Sequence, residues 1–129
     1  MTVLVAYTPR PEGKSALAHG IALAELRGED LLVLNASAGT TYVDPSLATE
    51  EDIANVQEQL DASSVPAVFR QLIRGNDAAE EIVALAEEST PSVVIVGLRK
   101  RSAVGKLILG STAQRILLGV DCPVLAVKA

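Results

Sequence analysis

The fold class is decided by one stretch in the last third of the chain, Val93-Val-Ile-Val-Gly97-Leu-Arg-Lys-Arg-Ser-Ala-Val-Gly-Lys-Leu-Ile-Leu-Gly110-Ser-Thr112. Its apolar start predicts a buried strand that ends at Gly97, and its end predicts a helix that begins near Ser111. The loop between them is basic, because four of the eleven Lys and Arg residues fall within the eight residues from Arg99 to Lys106. The first backbone N–H groups of a helix have no partner within it and attract anions. The stretch therefore predicts a phosphate site between a strand and a helix.

The same alternation of strand and helix runs through the rest of the chain. Short apolar runs predict five strands, at residues 3–7, 31–34, 67–73, 92–96 and 122–127. Four helical patterns lie between them, at residues 14–27, around the apolar repeat 53, 56 and 60, at residues 79–86 and at residues 111–118. Gly28 is expected to end the first helix, and Asp77 with Glu80 forms an acidic variant of the capping box before the third. Strict alternation predicts right-handed crossovers and therefore a parallel sheet. The third run alternates polar and apolar residues, which predicts an edge strand.

Length and composition support a single α/β domain that spans residues 1–129. Apolar residues make up 49% of the chain and aromatic residues only 2%, which suits an aliphatic parallel sheet covered by alanine-rich helices. The formal net charge of −5 argues against a nucleic-acid ligand, which needs a basic surface. The single cysteine, Cys122, excludes an internal disulfide. Since no run is long and apolar enough for a membrane span and no leader segment is visible, we expect a cytoplasmic protein that does not bind membranes.

A glycine-lysine motif near the start of the chain, in the segment Thr8-Pro-Arg-Pro-Glu-Gly13-Lys14-Ser15, resembles the end of a P-loop. Thr8 stands where a P-loop begins with glycine. Pro9 and Pro11 remove two backbone N–H groups that would otherwise bind phosphate. We therefore interpret the segment as a turn that opens the first helix.

Side chains that could catalyse a reaction are sparse. His19 is the single histidine, so it forms neither a metal site nor a triad in any visible pattern, and Cys122 has no neighbouring base. Ser111 has two compatible roles. It is expected to cap the last helix, with Gln114 completing a capping box, and its hydroxyl is placed to donate to a phosphate. The pattern indicates a binding site rather than an active site, with no metal ligands of its own.

Three further segments, together with residues 97–117, carry a resemblance to a known family: Val3-Leu-Val-Ala-Tyr-Thr8, Arg74-Gly-Asn-Asp-Ala-Ala-Glu-Glu-Ile82 and Cys122-Pro-Val-Leu-Ala-Val127. Along essentially its full length the chain resembles the universal stress protein family. The resemblance implies a Rossmann-like open sandwich, in which a five-stranded parallel sheet of order 3-2-1-4-5 carries two helices on each face. It also implies a small cytoplasmic homodimer that pairs through its last strand, from Val124 to Val127.

One branch of that family binds ATP through the pattern G-x2-G-x9-G-[ST], and another branch lacks both the pattern and the nucleotide. Here the first glycine is Gly97, and the closing residues are Gly110 and Ser111. Lys100 stands where the second glycine belongs; lysine carries a Cβ penalty in a left-handed conformation but adds a charge. The resemblance thus implies a phosphate site made of Gly97, Arg99, Lys100, Arg101, Gly110, Ser111 and the backbone N–H of Thr112.

The adenosine side of the implied site departs from the family at two positions. A family aspartate at the end of the first strand is Thr8 here, and an adenine-contacting valine after the second strand is Ala36. Loss of the charged acceptor at Thr8 is expected to weaken binding by about 1–3 kcal/mol if that bond is buried. We therefore expect an adenine nucleotide of the ATP or AMP type, with or without Mg²⁺, to bind more weakly or with altered preference.

Two functions remain open at this point. The first is a regulatory protein that binds a nucleotide, hydrolyses it slowly at most, and responds through its assembly or its choice of partner. The second is a structural or regulatory homodimer that has lost the nucleotide and acts through a protein partner, with its basic loop contacting an acidic surface. Lys100 and Thr8 favour the second function, whereas the glycines and the basic loop favour the first.

Overall fold

The computed structural model describes residues 1–39, 44–100 and 107–129 of the chain. Strands and helices alternate there in the predicted order. The strands are β1 (Thr2–Ala6), β2 (Asp30–Ser37), β3 (Ala67–Ile73), β4 (Val93–Lys100), β5 (Leu107–Ile108) and β6 (Val124–Lys128). The helices are α1 (Pro11–Arg27), α2 (Glu50–Ala62), α3 (Ala78–Ser89) and α4 (Ser111–Gly119). Within these described ranges, no helix is both long enough and apolar enough to cross a membrane.

The central sheet has, in the part of the chain that is described, five parallel strands in the spatial order β3-β2-β1-β4-β6. This confirms the order 3-2-1-4-5, because the fifth predicted strand is β6. The position of β3 at one edge is confirmed as well. The short strand β5 was not predicted; its two residues pair antiparallel with Arg99 and Lys100 at the end of β4.

Alternate residues of the central strands contribute side chains to two hydrophobic cores on opposite faces of the sheet. Val3 and Val5 of β1 pack with residues of α1 and α2, whereas Leu4 between them packs with residues of α3 and α4. All three side chains are fully buried, as expected for a strand that is covered on both faces. The aliphatic strands thus form the middle layer of an α/β sandwich with two helices on each face.

Local signals in the sequence set three of the helix ends. Asp77 caps α3 in a capping box with Glu80, as predicted, and Thr49 forms the equivalent box with Asp52 at the start of α2. Gly28 ends α1 in the left-handed conformation, with a φ of 65°, which its position after the helical pattern predicted. These ends need no tertiary contact to be recognised, because the residues that form them are neighbours in the chain.

The strands β2 and β4 are longer than their apolar runs predict. Both were expected to end with the apolar residues, but β2 continues to Ser37 and β4 continues to Lys100. β2 continues because β3 pairs with it up to Ser37, which lies opposite Ile73. β4 continues because Lys100 pairs with Leu107 of β5. Pairing with neighbouring strands therefore extends β2 and β4 beyond the apolar residues from which they were predicted.

A buried amide joins the end of β2 to two neighbouring segments. Asn35 is fully buried, and its Nδ2 donates to the carbonyl oxygens of Tyr7 at 2.9 Å and Ser46 at 2.8 Å. Its Oδ1 accepts hydrogen bonds from the backbone N–H of Ala48 at 2.9 Å and from Gln71 Nε2 at 3.0 Å. Because both ends of the amide are paired, this side chain fixes the exit of β1 and the segment that leads into α2.

Replacing Asn35 with alanine should destabilise the fold. The substitution removes partners from buried backbone groups, and we expect the free energy of unfolding to fall by about 2–3 kcal/mol. Urea unfolding followed by circular dichroism measures the loss. Asn55→Ala, on the exposed side of α2, is the matched control. Equal stability of the two variants would show that Asn35 does not organise these segments.

Two ion pairs tie α3 to the segments beside it. Glu81 of α3 is 2% exposed, and Arg74 donates to both of its carboxylate oxygens at 2.7 and 3.0 Å. Arg115 of α4 pairs with Asp77, the cap of α3. The hydrogen bonds from Arg74 and Arg115 hold the pKa of Glu81 and the pKa of Asp77, respectively, below their usual values.

These lowered pKa values predict a loss of stability in acid. A carboxylate whose folded-state pKa is lowered adds stability above its unfolded pKa, and the contribution is lost as the pH falls through the folded value. We therefore expect the free energy of unfolding to decrease as the pH falls below about 4.5. Glu81→Gln should make this decrease shallower, because glutamine does not titrate. Urea unfolding at a series of pH values measures the slope.

Glu87→Gln serves as the control for this experiment, because it removes the same charge from an exposed position of the same helix. A pH dependence that is the same in Glu81→Gln as in the parent protein would contradict the role given to the pair of Arg74 and Glu81.

Candidate functional site

A cleft opens at the carboxyl ends of β1 and β4, where the strand order reverses. In open α/β sheets ligands bind at this switch point, because the connections that follow the two strands leave toward opposite faces of the sheet. The exits of β1, β2 and β4 and the starts of α1, α3 and α4 bound the cleft. Its lining residues are Ala6, Tyr7, Thr8, Arg10, Glu12, Gly13, Leu34, Ala36, Ser46, Ala78, Ile82, Val96, Gly97, Arg99, Gly110, Thr112, Ala113 and Ile116.

Most of the predicted site residues meet at this cleft. Those that line it are Thr8, Ala36, Gly97, Arg99, Gly110 and Thr112. Ser111 is exposed on the first turn of α4 and is not part of the lining. Arg101 lies outside the described residues. The fold therefore brings residues from the two predicted sides of the site together, although they are far apart in the chain.

The backbone at Lys100 differs from the conformation that the family pattern suggests. Lys100 lies in β4 and pairs with Leu107 of β5, so its backbone is extended. The expected Cβ penalty applies to a left-handed backbone and does not arise here. A lysine at this position is therefore compatible with the local fold.

The start of α4 corrects the expected role of Ser111. Gly110, not Ser111, is the N-cap, and Ser111 is the first residue of the helix. The Gly110 carbonyl accepts the first helical hydrogen bond, from the N–H of Gln114 at 2.9 Å. Because glycine has no side chain, no capping hydrogen bond forms at this helix start. The N–H groups of its first turn have no partner within the helix, and Gly110, Thr112 and Ala113 line the cleft.

The two glycines of the phosphate pattern have different surroundings. A Cβ on Gly97 would overlap the backbone carbonyl of Glu12, so the absence of a side chain allows the first turn of α1 to approach β4. A Cβ on Gly110 would have Arg99 Nη2 as its nearest neighbour, at 3.7 Å. Gly97 is therefore required by packing, whereas the space beside Gly110 belongs to the cleft.

Two arginines and one glutamate form a charged cluster at the mouth of the cleft. Glu12 Oε1 lies 3.1 Å from Arg10 Nε and 4.0 Å from Arg99 Nε. Arg10 and Glu12 were not among the predicted site residues. Arg10 is the N-cap of α1 and Glu12 lies in its first turn. This place in the connection after β1 is the signal that could have identified them, since residues after the carboxyl ends of the central strands form the site in this fold class.

The exit of β1 also presents an unpaired hydroxyl. Thr8 Oγ1 is buried and has no hydrogen-bond partner among the described residues. Tyr7, beside it, packs edge-on against Phe69 with ring centroids 6.2 Å apart, and burial, with a smaller effect of the charge on Asp52, raises the pKa of its phenol. Tyr7 therefore acts as a neutral wall residue, and Thr8 supplies the polar group.

The segment that resembles a P-loop forms the first turn of α1 instead. The Lys14 N–H donates to the Arg10 carbonyl at 2.9 Å, and Ser15 Oγ donates to the Lys128 carbonyl at 2.6 Å. These groups are already used within the fold. The interpretation of this segment as a helix start is confirmed.

Comparison with known proteins agrees with the fold. Residues 1–128 match the model of the Universal stress protein family. A universal stress protein from Mycolicibacterium smegmatis is 43% identical over 126 residues, which cover 98% of this chain and 96% of the relative.

Solved structures give the same result. The structure of a universal stress protein from Archaeoglobus fulgidus superposes with a TM-score of 0.73 at 28% identity and covers 98% of this chain and 97% of its own. A structure of the universal stress protein from Archaeoglobus fulgidus in complex with dAMP has a TM-score of 0.68 at 22% identity, covering 98% of this chain and 96% of its own. The match along almost the whole chain, together with the sheet order, shows that this protein belongs to the universal stress protein family.

Proposed function

We propose that this protein binds an adenine nucleotide of the ATP or AMP type in the cleft and acts as a regulator rather than as an enzyme. One observation carries the proposal: the start of α4 has no side-chain cap and lines a cleft that also holds Arg10 and Arg99. An uncapped helix start beside two arginines favours a phosphate, because unpaired N–H groups, the helix dipole and the guanidinium groups all attract negative charge.

The phosphates are proposed to lie between the end of β4 and the start of α4. Arg99 is well placed for this role, since its guanidinium lies beside the open space at Gly110. The N–H groups of Ser111 and Thr112 would donate to phosphate oxygens. Lys100 and Arg101 belong to the same proposed phosphate side.

The adenosine is proposed to lie toward the exits of β1 and β2. This side of the cleft is apolar, with Ala6, Leu34 and Ala36 in its lining, and such surfaces bury a nucleobase favourably. The unpaired hydroxyl of Thr8 is available to the ribose or the base. The relative from Archaeoglobus fulgidus that was solved with dAMP supports an adenine nucleotide as the ligand class.

A regulatory role fits the side chains of the cleft better than catalysis. Glu12 is the single carboxylate in the described lining, and Arg10 and Arg99 hold it. A general base must be free to accept a proton from water, so hydrolysis of a bound nucleotide is proposed to be slow at most. In the described ranges, no group of three or more His, Cys, Asp or Glu side chains is placed to hold a metal ion. Any Mg²⁺ is proposed to bind together with ATP, through its phosphates. The protein is proposed to act in the cytoplasm.

Isothermal titration of the nucleotide-free protein with ATP and Mg²⁺, and with AMP, tests this function. We expect micromolar binding that is lost in Gly110→Val. Valine would fill the space beside Arg99, and the extended backbone of Gly110, with a φ of −63°, accepts it without strain. The variant should therefore keep its fold, which thermal unfolding checks.

Lys14→Ala is the matched control for the titration. Lys14 is exposed in the segment that resembles a P-loop, so this variant should bind as the parent does. Unchanged affinity in Gly110→Val would exclude the proposed phosphate position. Absence of binding in the parent, with binding gained in Lys100→Gly, would show that Lys100 has closed the site.

A homodimer that acts through a protein partner is the second candidate, and the surface near β6 favours it. β6 is an edge strand of the sheet, and Leu125 on it is 40% exposed. Leu117 and Leu118 at the end of α4 are exposed as well, Leu118 at 77%. An edge strand that exposes an apolar side chain favours pairing with another chain. We propose that a second copy pairs along the strand from Val124 to Val127.

Leu125→Lys should convert this dimer to a monomer, because a lysine on an edge strand opposes pairing. Sedimentation velocity measures the change. Leu26→Lys is the control, since Leu26 is 84% exposed on α1 and the same charge there should leave the dimer intact. A parent protein that sediments as a monomer at micromolar concentration would contradict the dimer.

A further inference from the structure

The charged cluster at the mouth of the cleft places a carboxylate where it meets both described arginines of the proposed phosphate site. Glu12 Oε1 is 3.1 Å from Arg10 Nε and 4.0 Å from Arg99 Nε. Its side chain is only 14% exposed, whereas those of Arg10 and Arg99 are 34% and 44% exposed, so the carboxylate is the member of the cluster that is most shielded from water. The position of Glu12 is also fixed, because its backbone packs into the space that Gly97 leaves open.

We propose that Glu12 is an internal competitor for the phosphate groups of the ligand and sets how strongly phosphate charge contributes to affinity. This inference rests on the proposed function, since it concerns the same site. A phosphate that approaches Arg10 and Arg99 meets arginines already paired with a carboxylate, and it is repelled by that carboxylate.

The effect of Glu12 should grow with the charge of the ligand. Adenosine carries no charge, so Glu12 neither repels it nor competes with it for arginine. AMP carries one phosphate and ATP three, and Coulomb repulsion from a fixed carboxylate rises with each added charge. Glu12 therefore reduces the advantage that ATP has over adenosine, and its removal should restore that advantage.

A purely structural role for Glu12 makes a different prediction. Glu12 lies in the first turn of α1, where a negative charge stabilises the helix. Loss of that stabilisation would loosen the cleft for every ligand alike. A comparison of charged and uncharged ligands therefore separates competition from helix stabilisation.

The test is isothermal titration of adenosine, AMP and ATP into the parent protein, Glu12→Gln and Glu29→Gln at one fixed salt concentration. For Glu12→Gln we expect ATP to bind about tenfold more tightly than to the parent, AMP to gain less, and adenosine to be unchanged. Glutamine keeps the shape of the side chain, so the backbone packing against Gly97 should persist. Glu12→Ala should show the same order of gains and serves as a second variant if Glu12→Gln unfolds.

Glu29→Gln is the matched control. Glu29 is also a partly buried glutamate that pairs with an arginine, with Oε2 3.1 Å from Arg27 Nε, and it lies away from the cleft. The substitution changes the net charge of the protein by the same amount, so it measures any general effect of charge on ATP binding. The affinities of Glu29→Gln should match those of the parent.

Three results would overturn the competitor role. One is equal ATP affinity in Glu12→Gln and the parent. Another is weaker ATP and AMP binding in Glu12→Gln, which would mean that Glu12 holds the arginines, or a magnesium ion, in the binding geometry. The last is an equal change for all three ligands, which indicates a structural role. If none of the proteins binds any of the three ligands, the proposed function itself is wrong and the inference falls with it.

Discussion

The close approach of α1 to β4 is the constraint on which the site depends. The backbone of Glu12 occupies the space where a side chain at Gly97 would stand, so the first turn of α1 lies directly against the end of β4. This contact lies at the switch point of the sheet, where the connections after β1 and β4 leave toward opposite faces. It places Arg10 and Glu12 on one side of the cleft, opposite Arg99 and the start of α4. A bulkier residue at Gly97 would separate these groups.

Two features determine the electrostatic character of the cleft. The start of α4 has no capping side chain, and a cluster of two arginines and one glutamate lies at the mouth. Gly110 gives α4 a start without a capping side chain, so the N–H groups of the first turn lie at the cleft without a capping acceptor among the described residues. Thr49 and Asp77 cap α2 and α3 with a hydroxyl and a carboxylate, whereas α1 begins at Arg10 without a side-chain cap. In this acidic protein the start of α4 thus lacks a side-chain cap and lies in the same cleft as Arg10 and Arg99, with Glu12 beside both arginines.

The residues that connect the segments around the cleft are distinct from those that line it. Asn35 joins the end of β2 to the exit of β1 through a fully paired buried amide. Arg74 and Glu81 connect the end of β3 to α3. Both contacts lie at the carboxyl ends of the strands, where the cleft also lies. Polar contacts therefore stabilise the end of the sheet that carries the cleft, while the two hydrophobic cores hold the layers together.

Local sequence patterns are sufficient to predict the order of strands and helices along the chain, the edge position of β3, the capping box at Asp77 and the end of α1 at Gly28. Each depends on residues that are close together in the chain, so hydrophobic spacing and cap chemistry reveal it. Tertiary structure alone decided that β2 extends to Ser37, that Gly110 rather than Ser111 caps α4, and that Glu12 meets Arg99. These outcomes depend on strand pairing and on helix packing between distant segments, and no local pattern records which residues will meet there.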